Sequence, residues 1–158
     1  MMNYQLKQLG RQDTGLIAGL LDCFGEAFGE PDTYGSHRPD EEYWQELLGG
    51  DTFVALVALN DDEKLLGGLT AYELKKPEQP RSELYIYDLA VTKSYRRQGV
   101  ATALIQRLRQ LAAERGAWVA FVQADYTDEP ALKLYTKLGA REEVLHFDLP
   151  IIRSGNSV

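Results

Sequence analysis

A predicted strand that leads through an arginine- and glycine-containing loop into an amphipathic helix is the feature that most constrains the fold. The apolar segment 85–91 precedes the loop sequence Arg-Arg-Gln-Gly-Val-Ala at residues 96–101. Apolar residues then recur at helical spacing as far as Leu111, and Gly116 follows as a helix stop. Such a unit collects free backbone N–H groups and positive charge at one helix N-terminus, where anionic groups bind.

The loop predicts a binding site for a pyrophosphate group. Gly99 lets a ligand approach the backbone closely, and Ala101 is small. Arg96 and Arg97 add charge-assisted hydrogen bonds. The pattern R-x-x-G-x-A is weak in isolation, because an exposed basic helix start with a tolerated glycine has the same sequence. It is neither the dinucleotide-binding pattern G-x-G-x-x-G nor a P-loop.

Length and charge narrow the classes of protein. The 158 residues suffice for one domain with a hydrophobic core. The formal net charge of −7 argues against nucleic acid as a partner and permits a cationic substrate. A negative net charge is also common in proteins in which it only maintains solubility. No apolar run approaches the ~20 residues of a membrane-spanning helix, and the N-terminus lacks the apolar stretch of a secretory signal. We therefore expect a cytoplasmic protein without a membrane partner.

The remaining segments alternate between strand-like and helix-like patterns. The order predicts the α/β class, with a mixed, mostly antiparallel sheet between helices in three layers. The run 118–124 is almost continuously apolar, which predicts a strand covered on both faces. We expect one domain over residues 1–150 and a flexible tail over 151–158, with a loop over 29–39. Strands are predicted over 4–9, 52–59, 64–74, 82–91, 118–124 and 142–149, and helices over 14–28, 40–48, 100–115 and 130–138.

Several stretches resemble a known superfamily. The phosphate loop and the segment 131–139, with its tyrosine and closing glycine, resemble the GNAT superfamily of N-acetyltransferases. Longer stretches closely resemble the aminoglycoside 3-N-acetyltransferases of the GNAT type, namely 78–82, 85–91, 122–126, 135–139 and 141–148. The resemblance implies the GNAT fold, acetyl-CoA as co-substrate, and acetylation of an amine. The amine it implies is the 3-amino group of 2-deoxystreptamine in an aminoglycoside, and its modification would confer antibiotic resistance.

The resemblance also assigns the coenzyme A site. In this superfamily the strand before the phosphate loop splays from its neighbour, and its exposed backbone binds the pantetheine arm. By position, that backbone belongs to Leu89, Ala90 and Val91, and the pyrophosphate would bind Arg96, Arg97, Gln98, Gly99, Val100 and Ala101. The tyrosine on the later helix, Tyr135, would protonate the departing thiolate; the alternative is an aromatic side chain that fills core space.

Acidic residues are the candidates for binding the acceptor. Asp88 interrupts an apolar strand, where a carboxylate is costly unless it is paired or hydrogen-bonded. It is either a structural aspartate at a bulge or the group that holds the substrate ammonium and accepts its proton. The acids that follow the 118–124 strand either bind the drug or cap the next helix, and both roles can coexist; they are Asp125, Asp128 and Glu129.

Other chemistries and acceptors have less support. Cys23 is the only cysteine, is expected in the core and has no activating neighbour in sequence, so we expect direct attack without an acyl-enzyme. No His, Cys and Asp residues have metal-ligand spacing, and no metal is expected.

The alternative functions are acetylation of a polyamine or a protein amine, and a non-catalytic CoA-binding module. The oligomeric state is open; relatives often pair, so a homodimer is one expectation.

Overall fold

The chain forms two compact units, Met1–Gln123 and Ala124–Val158, and the computed structural model describes residues 2–155. Strands of the first unit are Tyr4–Gln8 (β1), Phe53–Asn60 (β2), Leu65–Lys75 (β3), Ser82–Val91 (β4) and Ala117–Val122 (β5). Its helices are Thr14–Phe28 (α1), Pro31–Gly35 (α2), Glu41–Gly49 (α3) and Val100–Glu114 (α4). The second unit contains Glu129–Leu138 (α5).

The five strands form one sheet in the order β1-β2-β3-β4-β5. The first three pairings are antiparallel, and β4 pairs with β5 in parallel. The predicted hairpin joins β2 to β3, and the Asn60 side chain closes it by accepting the backbone N–H groups of Asp62 and Lys64. The mixed, mostly antiparallel sheet of the sequence prediction is confirmed.

Helices cover both faces of this sheet because β2 is apolar on both. Ala55, Val57 and Leu59 join a core cluster with Leu20 and Phe24 of α1. The alternate residues of β2 point to the opposite face and are also buried. On that face α4 contacts the sheet through its apolar stripe. The predicted three-layer arrangement follows from this double burial.

The loop predicted over 29–39 contains a short helix instead. Gly29 ends α1 with a left-handed φ of 65°, a conformation that favours glycine. Pro31 then opens α2, since proline fits the first helical turn. The prediction missed α2 because its turn-forming residues also suit a short helix.

Two predictions about the later part of the chain were wrong. Strand β5 lies at the edge of the sheet described here, and Trp118 and Val119 are exposed, not covered on both faces. The segment 142–149 has no regular structure, and its apolar side chains are exposed. Sequence alternation shows which side chains share a face but not whether a neighbouring strand can pair with them. Residues 156–158 of the predicted tail lie outside the described residues.

No helix within residues 2–155 is both long and apolar enough to cross a lipid bilayer.

Candidate active site

A β-bulge in β4 places the first candidate residue. Asp88 lies opposite Thr70 of β3, and Ile86 lies opposite Ala71, so Tyr87 is the extra residue between them. A bulge re-aims the side chains beside it. Asp88 is half-buried and accepts a hydrogen bond from the hydroxyl of Tyr34 on α2, with 3.1 Å between the two oxygens.

The surroundings of Asp88 make its carboxyl group a weaker acid than usual. Burial raises the pKa of its carboxyl above the usual range, the Tyr34 hydrogen bond opposes this, and the Glu30 carboxylate adds to it. Tyr34 stays protonated, because burial and the charge of Asp88 raise the pKa of its hydroxyl. A carboxylate tuned in this direction is suited to exchanging a proton with an amine.

Asp88 borders a cavity of about 270 Å³ within the first unit. The lining of the cavity is rich in aromatic side chains, which include Tyr34, Tyr43, Trp44, Phe53, Tyr72 and Tyr87. Arg38 is also in the lining, but its guanidinium pairs with Asp22 and donates to the Tyr34 carbonyl. Sequence reasoning found Asp88 but not the convergence of these aromatic side chains on one cavity, since they come from several elements separated along the chain.

Beyond the bulge, β4 has an unpaired side among the described strands. The pairing of β4 with β5 ends at Ile86 and Val122, whereas β4 pairs with β3 as far as Val91. On the side of β4 toward β5, the backbone of Leu89, Ala90 and Val91 therefore pairs with no described strand. An extended ligand could hydrogen-bond there as an added strand does.

Close backbone contact holds this part of β4 against β3. A Cβ atom on Gly67 would lie 2.6 Å from the carbonyl oxygen of Ala90 and 2.9 Å from Cα of Val91. Only a glycine permits that approach. The glycine pair at 67–68 therefore contributes to the position of the Leu89–Val91 backbone, and sequence reasoning did not single it out.

The predicted phosphate loop follows directly. The Arg96 Nε–H donates to the carbonyl of Val91 at 3.0 Å, which ties the loop to the strand end. Arg97 and Gly99 have positive φ values of 59° and 84°, and Gln98 between them does not. Such alternation turns successive N–H groups toward one concave side, which binds anions. Gly99 is the N-cap of α4, so the N–H groups of Val100 and Ala101 begin the helix without intrahelical acceptors.

The second unit contains the other predicted site residues. Asp128 caps α5, since its side chain accepts the backbone N–H of Ala131 at 3.2 Å. Asp125 and Glu129 are exposed, as is Asp128. Burial, followed by the charge of Asp128, raises the pKa of Tyr135 to about 12, so its hydroxyl carries a proton at neutral pH.

The cysteine is a core residue. Cys23 is buried in the cluster beneath α1. Burial raises the pKa of its thiol to about 11, which keeps it protonated and a poor nucleophile. Within the described residues, no group of three or more His, Cys, Asp or Glu side chains is placed to hold a metal ion.

The strand with its bulge at Tyr87, the carboxylate of Asp88 and the arginine–glycine loop that follows have the arrangement that the sequence resemblance implies for an N-acetyltransferase. Residues 18–140 match the acetyltransferase (GNAT) family, and the chain belongs to this family.

Solved structures extend the likeness over almost the whole chain. An aminoglycoside acetyltransferase from an uncultured soil metagenomic sample superimposes with a TM-score of 0.93 and 54% identity, covering 96% of this chain and 100% of the other. A second such enzyme from an uncultured soil metagenomic sample, solved in complex with sisomicin, has a TM-score of 0.87 and 33% identity, covering 94% of this chain and 97% of the other.

Curated relatives match over a shorter stretch. N-acetyltransferase 8B of Rattus norvegicus is 28% identical over 85 residues, which are 54% of this chain and 38% of that protein. The chain thus spans well under half the length of this relative.

Proposed function

We propose that the protein transfers the acetyl group of acetyl-CoA to an amino group of an aminoglycoside antibiotic, at the 3-amino position of 2-deoxystreptamine. The observation that carries the proposal is the position of Asp88. This carboxylate stands at the β4 bulge, between an aromatic cavity on one side and the open strand edge that leads to the phosphate loop on the other. The near full-length likeness to aminoglycoside acetyltransferases supports the substrate class.

Acetyl-CoA would bind along β4 and the loop. Its pantetheine amides would pair with the backbone of Leu89, Ala90 and Val91 as an added strand. Its pyrophosphate would accept the N–H groups of residues 97–101 at the start of α4, where the helix dipole favours negative charge. The guanidinium groups of Arg96 and Arg97 would contribute charge-assisted hydrogen bonds.

The reaction would be a direct attack. The acceptor's ammonium group gives a proton to the Asp88 carboxylate, directly or through water, and the freed nitrogen lone pair forms a bond to the thioester carbonyl carbon. The C–S bond then breaks, and its electron pair leaves with sulfur. The nitrogen, which became positively charged when the C–N bond formed, releases a second proton to solvent and gives the neutral amide. Tyr135 protonates the departing thiolate, a role supported by its protonated state at neutral pH and by the family resemblance. Exchange with solvent restores both side chains.

Carboxylates would select a polycationic acceptor. Asp88 binds the reacting ammonium group, and Asp125, Asp128 and Glu129 bind others, with Asp128 also capping α5. Acetylation removes a positive charge and a hydrogen-bond donor from the drug, which weakens its binding to RNA. We therefore propose that the enzyme acts in the cytoplasm and confers resistance.

The test is a coupled assay of thiol release with gentamicin-type drugs, followed by NMR assignment of the acetylated nitrogen. We expect turnover dependent on acetyl-CoA and acetylation at the 3-amino group. Acetylation of another amino group would refute the position only. Absence of turnover on any aminoglycoside would refute the substrate class, and a strong preference for spermidine or a peptide amine would replace it with a polyamine or protein acceptor.

We also propose a homodimer. The support is the exposed apolar segment 144–152, since such surface on a chain of this size marks an interaction site. Light scattering on the purified protein tests this: a mass twice that of the 17.8 kDa chain is expected, and a monomer at micromolar concentration would contradict it.

A further inference from the structure

A row of aromatic side chains crosses four strands of the sheet on one face. Phe53 of β2 lies opposite Tyr72 of β3, Tyr72 lies opposite Tyr85 of β4, and Tyr85 lies opposite Phe121 of β5. Residues directly opposite each other in a sheet share a face and contact through their side chains. We call these four side chains, together with Tyr87, the aromatic row.

The rings of the aromatic row contact each other along its length. The centroids of Phe53 and Tyr72 are 5.3 Å apart. Tyr85 stacks on Phe121 with a centroid distance of 4.8 Å and an angle of 7° between the planes. Tyr87, the extra residue of the bulge, lies 5.9 Å from Tyr72 and 5.6 Å from Tyr85 and joins the two halves. The bulge therefore makes the row continuous.

Only one end of the aromatic row belongs to the hydrophobic core. Phe53 is 7% exposed and packs in the cluster beneath α1 and α3, whereas Tyr72 is 37% and Tyr87 61% exposed. Core packing accounts for Phe53 but not for adjoining tyrosines that remain open to solvent. Contiguous exposed aromatic surface of this kind marks a binding site.

The open part of the aromatic row borders the candidate base. Tyr72 and Tyr87 line the same cavity as Asp88. The charge of Asp88 also reaches Tyr85, where it adds to burial in raising the pKa of the hydroxyl. The Arg38 guanidinium in the cavity wall is paired with Asp22, so the charge that faces a ligand at Asp88 is negative. A ligand of this surface should therefore be cationic.

Asp88 separates the aromatic row from the strand edge proposed for coenzyme A. Along β4, Tyr85 and Tyr87 precede Asp88, and residues 89–91 follow it. Pantetheine would occupy the second side, which leaves the aromatic row to the acceptor. A linear polyamine would cover little of such a row. Saturated sugar rings, in contrast, have flat C–H faces that pack on aromatic rings. The ammonium groups on such sugars interact favourably with the faces of aromatic rings and with the nearby carboxylate.

On the basis of the proposed function, on which this inference rests, we infer that the solvent-accessible part of the aromatic row is a stacking platform for the amino-sugar rings of the acceptor. This part consists of the exposed Tyr72 and Tyr87 and the half-buried Tyr85 and Phe121. The platform binds polycationic cyclic amino sugars and holds one amino group at Asp88. It acts on affinity for the ring system and not on the chemical step.

The test replaces Tyr87, whose exposed side chain can be removed with little effect on the core. We expect Tyr87→Ala to raise KM for sisomicin about 5- to 10-fold with kcat changed less than about 2-fold, the size of a lost aromatic contact. Tyr87→Phe should keep the wild-type KM. Tyr4→Ala on β1, away from the row, is the matched control and should also keep it. Calorimetric titration of each variant with sisomicin, without acetyl-CoA, gives the affinity independently of turnover.

The outcomes separate this inference from the proposed function. If the wild-type protein acetylates aminoglycosides but Tyr87→Ala leaves KM and the calorimetric affinity unchanged, the platform is refuted and the proposed function stands. An equal loss in Tyr87→Phe would also refute stacking, since it would point to the hydroxyl. If the wild-type protein binds sisomicin through Tyr87 without acetylating any aminoglycoside, the platform stands and the reaction fails. If it does not bind sisomicin at all, the platform is refuted.

Discussion

The hydroxyl of Tyr34 donates a hydrogen bond to the carboxylate of Asp88 across 54 residues of sequence, with 3.1 Å between the oxygens. This contact joins the short helix α2 to the bulge of β4. Tyr34 also packs its ring against Phe24 and Phe28, with centroid distances of 5.9 and 5.8 Å, which fixes the direction of the hydroxyl. Tyr34 is therefore a positioning residue: it sets the orientation and the acidity of the candidate base.

Two substitutions around Asp88 should shift the pH profile in opposite directions. Asp88 must be ionised to accept a proton, so activity falls as the pH drops through its pKa. Tyr34→Phe removes the hydrogen bond that lowers this pKa, and the acidic limb of kcat/KM should move to higher pH. Glu30→Gln removes a charge that raises it, and the limb should move to lower pH. Shifts in the same direction, or none, would contradict the assignment of the limb to Asp88.

Removal of the carboxylate should leave coenzyme A binding intact and slow the reaction. We expect Asp88→Asn to lower kcat/KM for an aminoglycoside about 100-fold or more, the usual contribution of a positioned base. The acidic limb of the pH profile should disappear with it. Calorimetric affinity for coenzyme A is the control and should match the wild type, since residues 89–91 and the loop are unchanged. A variant that keeps wild-type turnover would show that Asp88 is structural.

The phosphate loop and Asp88 could be predicted because their signals are local. An apolar strand makes a single carboxylate conspicuous, and a glycine beside arginines before an amphipathic helix predicts an anion-binding turn. The sheet class followed from the order of the elements. These predictions depend on residues that are neighbours in sequence, and sequence patterns contain that information.

The contact of Tyr34 with Asp88 and the aromatic row could not be predicted in the same way. Tyr34 lies in a segment with turn-forming residues, and its contact with Asp88 depends on how α2 packs. No glycine in the sequence indicates the bulge at Tyr87, although this bulge determines which tyrosine side chains are in contact. Register between strands was needed to see that Phe53, Tyr72 and Tyr85 form one row, and sequence alone does not determine register.

The tyrosine on α5 offers a test of the proton donor. Tyr135→Phe should lower kcat by about 10-fold, less than a typical general acid contributes, because a thiolate is a fairly stable leaving group. The pKa of about 12 places its deprotonation above the usual assay range. The wild-type profile should therefore show no loss of activity from this group between pH 7 and pH 9, as measured by steady-state kinetics. Unchanged kcat in Tyr135→Phe would assign the residue to packing.

Gly67 tests how the contact between β3 and β4 supports the coenzyme site. An added Cβ would meet the Ala90 carbonyl oxygen at 2.6 Å, so Gly67→Ala must displace the β4 backbone. Such overpacking should lower the free energy of unfolding by about 1–3 kcal/mol in urea titrations. It should also weaken coenzyme A binding, because the displaced residues are those that would pair with pantetheine.

Gly15→Ala on α1 is the matched control for this substitution. Nothing lies within 4 Å of the Cβ position at Gly15, and alanine favours a helix over glycine, so the free energy of unfolding should be unchanged or about 0.5–1 kcal/mol higher. Coenzyme A affinity should equal that of the wild type. If Gly67→Ala weakens coenzyme A binding no more than Gly15→Ala does while remaining folded, the position of residues 89–91 does not govern binding, and the pantetheine site must lie elsewhere.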